Sequence, residues 1–146
     1  MQETLAHNPG ITGHLVDLFR ARFDPEGSGE RAAPMQGIRV AIEAGLEAVS
    51  NLDEDRILRR FLNVICSTLR TNYYQPAKEG GPKPYLSFKL DSRKLDDLPL
   101  PRMNVEVFVY SPRMEGIHLR GGKVARGGIR WSDRREDFRS EVLGLV

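Results

Sequence analysis

Arg113-Met-Glu-Gly-Ile-His-Leu-Arg-Gly-Gly-Lys-Val-Ala-Arg-Gly-Gly-Ile-Arg-Trp-Ser-Asp-Arg-Arg-Glu-Asp-Phe-Arg139 is the stretch on which the reading of the chain turns. Two glycine pairs, Gly121-Gly122 and Gly127-Gly128, punctuate it. Arg120 and Lys123 flank the first, and Arg126 and Arg130 flank the second. Ile117 to Arg120 and Lys123 to Ala125, on either side of Gly121-Gly122, predict a β-hairpin with a two-residue turn. Ile129-Arg130-Trp131 predicts a short extended piece after the second pair. The basic residues Arg113, Arg120, Lys123, Arg126, Arg130, Arg134, Arg135 and Arg139 outnumber the acidic Glu115, Asp133, Glu136 and Asp137. Glycine lets a backbone bend tightly or approach a ligand closely. Arginine presents a planar donor fork that matches a carboxylate or phosphate. Two readings follow. In one, the pairs are tight turns of a β-rich module with arginines at its rim. In the other, Arg126 and Arg130 converge on an anion, with backbone N–H groups of Gly127 and Gly128 assisting. Trp131 serves equally as a wall of such a pocket or as a core aromatic. His118 reads as structural rather than catalytic.

Working upstream, Val105, Val107 and Val109 alternate with Glu106, Phe108 and Tyr110, and Ser111-Pro112 ends the run. This predicts a strand apolar enough to sit centrally in a sheet. Leu86, Phe88 and Leu90 alternate with Ser87 and Lys89 and predict another. Pro76 to Pro84, with Gly80-Gly81-Pro82, is a loop, and Asp91 to Pro101 is a polar connection. Downstream, Ser132 or Asp133 is placed to cap a last helix. Glu136 and Asp137 fall in its first turns, and Phe138, Val142 and Leu145 form its stripe. No stop signal follows, so the stretch reads as a piece of a longer chain.

The first half is helical in pattern. Residues 1–9 read as a loose lead-in. Asn8-Pro9 signals a helix start, and Leu15, Leu18, Phe19 and Phe23 recur at helical spacing. Asp24 to Gly29 stops that helix, and a polar linker runs on through Pro34 and Gly37. Ile38, Ile42, Leu46 and Val49 predict a second helix over about 36–50, in which Gly45 costs about 1 kcal/mol relative to alanine. A third begins at Asp53 as cap, with Glu54 and Asp55 in its first turn. Leu58, Leu62, Ile65 and Leu69 line one face, and Ile57, Phe61, Val64 and Thr68 lie beside them. So wide a band calls for burial on two sides. Arg56, Arg59, Arg60 and Arg70 mark the wetter flank, and the helix is expected to run to Tyr73. His7 and His14 read as surface or capping histidines.

Composition narrows the function classes. In 146 residues, 40% apolar and 29% charged is ordinary for a globular chain, and a net charge of +2 gives no general reason to bind nucleic acid or a membrane. Arg120-Gly-Gly and Arg126-Gly-Gly look like RNA-binding repeats, but the spacers Val124, Ala125, Ile129 and Trp131 look like folded core, unlike the low-complexity sequence of such tails. The single cysteine, Cys66, forms no internal disulfide and no metal cluster, which fits a reducing, cytoplasmic setting. No run approaches the roughly 18 apolar residues of a membrane span, and Met-Gln-Glu-Thr is not a signal peptide. Gly121 to Gly128 is neither a dinucleotide fingerprint nor a phosphate-binding loop. No catalytic triad or carboxylate pair stands out.

At Arg126-Gly-Gly-Ile-Arg-Trp-Ser-Asp-Arg-Arg-Glu-Asp-Phe-Arg-Ser-Glu-Val-Leu-Gly-Leu145 the chain closely resembles the large-subunit, NAD-specific glutamate dehydrogenases of bacteria. Glu106-Val-Phe-Val-Tyr-Ser-Pro-Arg-Met-Glu-Gly116, Leu52-Asp-Glu-Asp-Arg-Ile-Leu-Arg-Arg60 and Thr68-Leu-Arg-Thr-Asn-Tyr73 extend the resemblance over residues 37–146. It implies an α+β fold: N-terminal helices, then part of a substrate-domain sheet, then the first part of a helix. The implied organisation is a helical lead-in and linker (1–37), a helical segment (38–76) and the N-terminal part of the catalytic, substrate-binding domain (77–146). In the wider family a Lys-Gly-Gly-Ile/Leu-Arg motif supplies positive charge to a substrate carboxylate. The matching positions are Arg126, Gly127, Gly128, Ile129 and Arg130, with arginine replacing lysine at the first. That keeps the charge but turns a point into a fork.

The implied reaction is reversible oxidative deamination of L-glutamate to 2-oxoglutarate and ammonia, with NAD as hydride acceptor, in a homo-oligomeric parent. The family's catalytic lysine has no match before Val146, and its nucleotide domain lies further on. The expectation for this chain is therefore a substrate-binding wall at Arg126, Gly127, Gly128 and Arg130, with no catalytic, cofactor or metal residue and no activity alone. The competing reading is a non-catalytic anion-binding or regulatory module.

Overall fold

The computed structural model describes residues 1–27, 29–131 and 137–146. The chain forms two compact units, Met1–Cys66 and Ser67–Val146. The first is helical: α1 (Gln2–His7), α2 (Pro9–Phe23), α3 (Ala32–Glu47) and α4 (Leu52–Ser67). The second holds β1 (Thr68–Thr71), β2 (Leu86–Asp91), β3 (Val105–Ser111), β4 (Met114–Gly121), β5 (Val124–Arg130) and α5 (Phe138–Leu143). The class is α+β, as expected.

In the helical unit the predicted stripes supply much of the core, but Phe19 and Phe23 are only half-buried, and Val64 is 36% exposed, so the α4 band is not covered on both sides. Ile11, Leu15 and Leu18 of α2, Ile42 and Leu46 of α3, and Leu58 of α4 are buried together. Gly45 has a packing role, because a Cβ there would stand 3.0 Å from Ile11 Cγ1. The cost of a glycine inside a helix is thus offset by the close approach it allows.

Three local expectations are corrected. Residues 2–7 are a helix, held by tertiary ties no periodicity reveals. Thr4 is buried, Thr12 Oγ1 donates to the Leu5 and Asn8 carbonyls, and Asn8 Nδ2 donates to Thr4 O and to Glu54 Oε2. Second, α3 begins at Ala32, with Pro34 and Gly37 inside it. Proline is tolerated in a first turn because its missing N–H has no partner there. The turn before it is closed by Arg31, whose guanidinium donates to the carbonyls of Ala21, Asp24 and Gly27. Third, α4 is capped by Asn51, whose Oδ1 accepts from the N–H groups of Asp53 and Glu54 at 2.9 and 3.1 Å. Asp53 lies within its first turn.

The hydrogen bonds from Asn8 and then from His7 hold the Glu54 carboxyl below the usual glutamate range. A depressed carboxyl contributes stability that is present above its unfolded value of about 4.3 and is lost as pH falls through the lower folded value. A carbon-detected NMR titration is expected to place Glu54 below the usual glutamate range, and Asn8→Ala to move it back up.

α4 stops at Ser67, well short of Tyr73. Thr68 to Thr71 is strand β1, paired antiparallel with β2 through Thr68↔Leu90, Arg70↔Lys89 and Thr71↔Phe88 and irregular between Thr68 and Arg70. Leu69 continues the helical stripe in sequence but is 42% exposed. Pairing with a strand distant in sequence overrides the local period.

The sheet is an antiparallel meander, β1-β2-β3-β4-β5, with β3 in the middle as predicted and β5 at an edge. Register places Leu90, Glu106, Leu119 and Arg126 in one row across it, and Phe88, Phe108, Ile117 and Gly128 in the next. α5 covers this face. Met103, Ile117, Leu119, Val142 and Leu143 are buried there, with Phe108 and Phe138 against them. Glu106 is fully buried in the same layer. Its Oε1 and Oε2 accept from Arg139 Nε at 2.6 Å and Nη2 at 3.1 Å.

Candidate functional site

The hairpin that sets the site is one residue out of phase with the prediction. Gly121 pairs with Val124, so the turn residues are Gly122 and Lys123. Gly122 has φ +60, a conformation glycine adopts without Cβ strain. Gly121 stays in the strand, where a Cβ would crowd Met103 Sδ at 3.2 Å.

The second pair, Gly127-Gly128, lies within edge strand β5 rather than in a turn. A two-residue turn makes its flanking residues a hydrogen-bonded pair, and such pairs alternate along an antiparallel ladder. The bonded pairs are then Gly121–Val124, Leu119–Arg126, Ile117–Gly128 and Glu115–Arg130. Ala125, Gly127 and Ile129 turn their N–H and C=O groups toward the open edge. Two bonds agree with this phase. The Ala125 carbonyl accepts from Arg126 Nη1 at 3.0 Å. Arg120, opposite Ala125, turns its carbonyl the other way, to Asn104 N at 2.8 Å. The outward donor is therefore the N–H of Gly127, while that of Gly128 faces Ile117.

The two glycines also differ in space. A Cβ on Gly127 would stand 2.7 Å from the Ile117 carbonyl oxygen and 3.2 Å from His118 Cδ2. One on Gly128 would meet only Phe138 Cζ, at 3.7 Å. Gly127→Ala is expected to destabilise the sheet unit by about 1–3 kcal/mol, as overpacking does. Gly128→Ala should stay within about 0.5 kcal/mol of the parent. Urea unfolding of the two variants side by side checks this contrast.

Arg126, Gly128 and Arg130 share the face that α5 covers, but the two arginines do not meet at one point. Four residues of strand separate them by roughly 13 Å, and the Phe138 ring approaches Gly128 between them. Arg126 is exposed, and its Nε donates to the Leu145 carbonyl at 3.2 Å. Arg130 is held more closely. Its Nε and Nη2 both reach Glu115 Oε2 at 3.0 Å, its Cζ lies 5.0 Å from the Phe138 ring centroid, and its side chain is only 10% exposed. Nη1 is buried without a hydrogen-bond partner among the described residues.

Sequence reasoning counted Glu115 only as part of the local charge and Phe138 only as a helix stripe. The cross-strand register Glu115↔Arg130 is the signal that joins the first of them to the site. Trp131 is 72% exposed, and Val124, Ala125 and Ile129 are exposed too, so the spacers expected to be core lie at the open edge instead. His118 is exposed, on the face away from α5. Ser132, Asp133 and Glu136, expected at the last helix's start, lie outside the described residues. The cap observed for α5 is Asp137, whose Oδ1 accepts from Arg139 N and Ser140 N.

A second hollow, of about 680 Å³, opens between the β1–β2 loop and the β3–β4 turn. Tyr73, Tyr74, Tyr85 and Tyr110 line it with Pro76, Pro82, Pro84 and Pro112, and Lys83 is its one charged lining residue. Among the described residues no His, Cys, Asp and Glu group is placed to hold a metal. No described helix is long and apolar enough to cross a membrane. No described glycine-rich turn carries a strand into a helix.

The fold is that of an α+β protein whose edge strand β5 carries Arg126 and Arg130. Residues 41–146 match the family model of the bacterial NAD-glutamate dehydrogenase catalytic domain. The chain is 54% identical over 144 residues to the NAD-specific glutamate dehydrogenase of Halomonas elongata, covering 98% of this chain and 9% of that protein. Against that of Pseudomonas aeruginosa it is 53% identical over 139 residues, 93% of this chain and 9% of the relative. Against that of Mycobacterium tuberculosis the figures are 48% over 149 residues, 100% and 9%. The chain belongs to the bacterial NAD-glutamate dehydrogenase family. It spans about a tenth of the length of these relatives.

Proposed function

We propose that the chain is a segment of an NAD-dependent glutamate dehydrogenase, in which residues 77–146 begin the catalytic region and β5 forms one wall of the substrate site. The observation that carries the reading is identity of 48–54% across nearly the whole chain to three proteins named for that activity. The parent reaction is the reversible oxidative deamination of L-glutamate to 2-oxoglutarate and ammonia, in a cytoplasmic homo-oligomer. NAD, bound elsewhere in the longer polypeptide, supplies the hydride acceptor.

This chain's part is binding and orientation. Both substrates are dicarboxylates, and the β5 edge presents three kinds of donor at separate points along the strand. Arg130 offers its unpartnered Nη1, Arg126 brings an exposed guanidinium, and Gly127 turns its N–H outward, with no Cβ to keep a ligand away. Burial strengthens the Arg130 contact, since a charged hydrogen bond shielded from water is weakly screened. Alone, the 146-residue chain is expected to show no turnover with glutamate and NAD, because none of its motifs holds the dinucleotide.

A charge-assisted hydrogen bond contributes about 1.5–3 kcal/mol. Arg126→Ala and Arg130→Ala, made in a full-length dehydrogenase containing this segment, are therefore expected to raise KM for glutamate by roughly 10- to 100-fold each. Unchanged KM and unchanged turnover in both variants would remove the carboxylate assignment.

A further inference from the structure

Among the described residues, two arginine–glutamate pairs differ in kind. Arg139 uses two nitrogens on two different oxygens of Glu106, which is fully buried, and is itself largely shielded. That pair is complete in itself. Arg130 uses two nitrogens on a single oxygen of Glu115, whose side chain is 40% exposed. The ring of Phe138 lies against the guanidinium. The third nitrogen, Nη1, is buried and unpartnered among the described residues, on a side chain nine-tenths buried. A buried charged donor without an acceptor is costly, so the arrangement lacks one anionic oxygen.

We propose that Glu115 is a positioning residue: it locks the Arg130 fork so that Nη1 faces an incoming substrate carboxylate. The proposal rests on the reading of β5 as a carboxylate site. Glu115 stands directly across the ladder from Arg130, in a bonded pair where the strands fix both Cα atoms. Nε and Nη2 occupy one edge of the planar guanidinium, so holding that edge aims the remaining nitrogen. Phe138 limits tilting of the plane.

Glu115 acts on an incoming anion in two opposed ways, and this makes the idea decisive to test. Its charge repels a second carboxylate, whereas its hydrogen bonds orient the donor that receives one. If charge dominates, Glu115→Gln tightens anion binding. If orientation dominates, the same substitution weakens it, and Glu115→Asp, which keeps the charge on a shorter stem, falls between. The probe is 2-oxoglutarate at constant ionic strength, titrated into the arginine-¹⁵N-labelled 146-residue chain while the Arg130 Nε–Hε resonance is followed. The expected result is a saturable shift in the parent, weakened on the order of tenfold in Glu115→Gln and partly restored in Glu115→Asp. Equal or tighter binding by Glu115→Gln overturns the positioning role alone. No response of the parent resonance overturns the carboxylate reading, and the positioning role with it.

Discussion

Glu106→Ala is expected to destabilise the sheet unit by about 3–5 kcal/mol, the cost of leaving one member of a buried ion pair unpaired. Glu106 is fully buried and Arg139 is 12% exposed. Removing the carboxylate strands a largely buried guanidinium between β3 and α5. Arg139→Met should cost a comparable amount for the mirror-image reason. The double variant Glu106→Leu/Arg139→Met removes both charges and should recover most of the loss, since buried pairs replaced by apolar groups of like volume are often neutral or better. Urea unfolding of the four proteins closes a double-mutant cycle, with a coupling energy of about 1–3 kcal/mol expected for contacting residues. Additive single effects would show that the pair does not act as a unit in holding α5 to the sheet.

The second large effect is expected at Leu119. Its side chain is fully buried among Met103, Ile117, Val142 and Leu143. Leu119→Ala removes that burial and leaves a cavity between two elements, so a loss of about 2–5 kcal/mol is expected. Ile129→Ala provides the contrast. Ile129 is 60% exposed on the edge strand, and its truncation should change stability by no more than about 0.5 kcal/mol. Similar losses in the two variants would mean that the core does not lie on the α5 side of the sheet. The Arg126 and Arg130 kinetics are read most safely beside these controls, because they separate a folding defect from a lost substrate contact.

Much of the fold was legible because apolar periodicity and turn chemistry act locally. Leu15 and Leu18, Ile42 and Leu46, and Leu58 mark helix faces that the structure buries. The alternation through Val105–Tyr110 marks the central strand, and Gly121-Gly122 marks the hairpin to within one residue. The misses share a cause. α1 is too short for a period to show and is held by Asn8, Thr12 and Glu54. β1 lies inside what continues, by spacing alone, as the α4 stripe, and only its partner strand β2 changes that outcome. The α4 cap falls on Asn51 rather than Asp53, one polar residue in a run of them. The arginine–glycine motif was visible as an anion-handling pattern, but its internal division was not. Phe138 between the arginines, Gly127 turned outward and Gly128 inward all depend on hairpin phase and on where α5 lands.

Local patterns and recognisable motifs suffice for the α+β class, the helix faces of the first unit, the central strand and hairpin of the second, and the family. Tertiary structure alone decided that Glu106 is buried in the sheet's core layer with Arg139, and that Glu115 and Phe138 hold Arg130. The physical reason is register. Glu115 and Arg130 are fifteen positions apart in sequence, and Glu106 and Arg139 thirty-three. Only the hydrogen-bonded ladder and the packing of α5 bring such charges into one layer, where burial makes each depend on its partner.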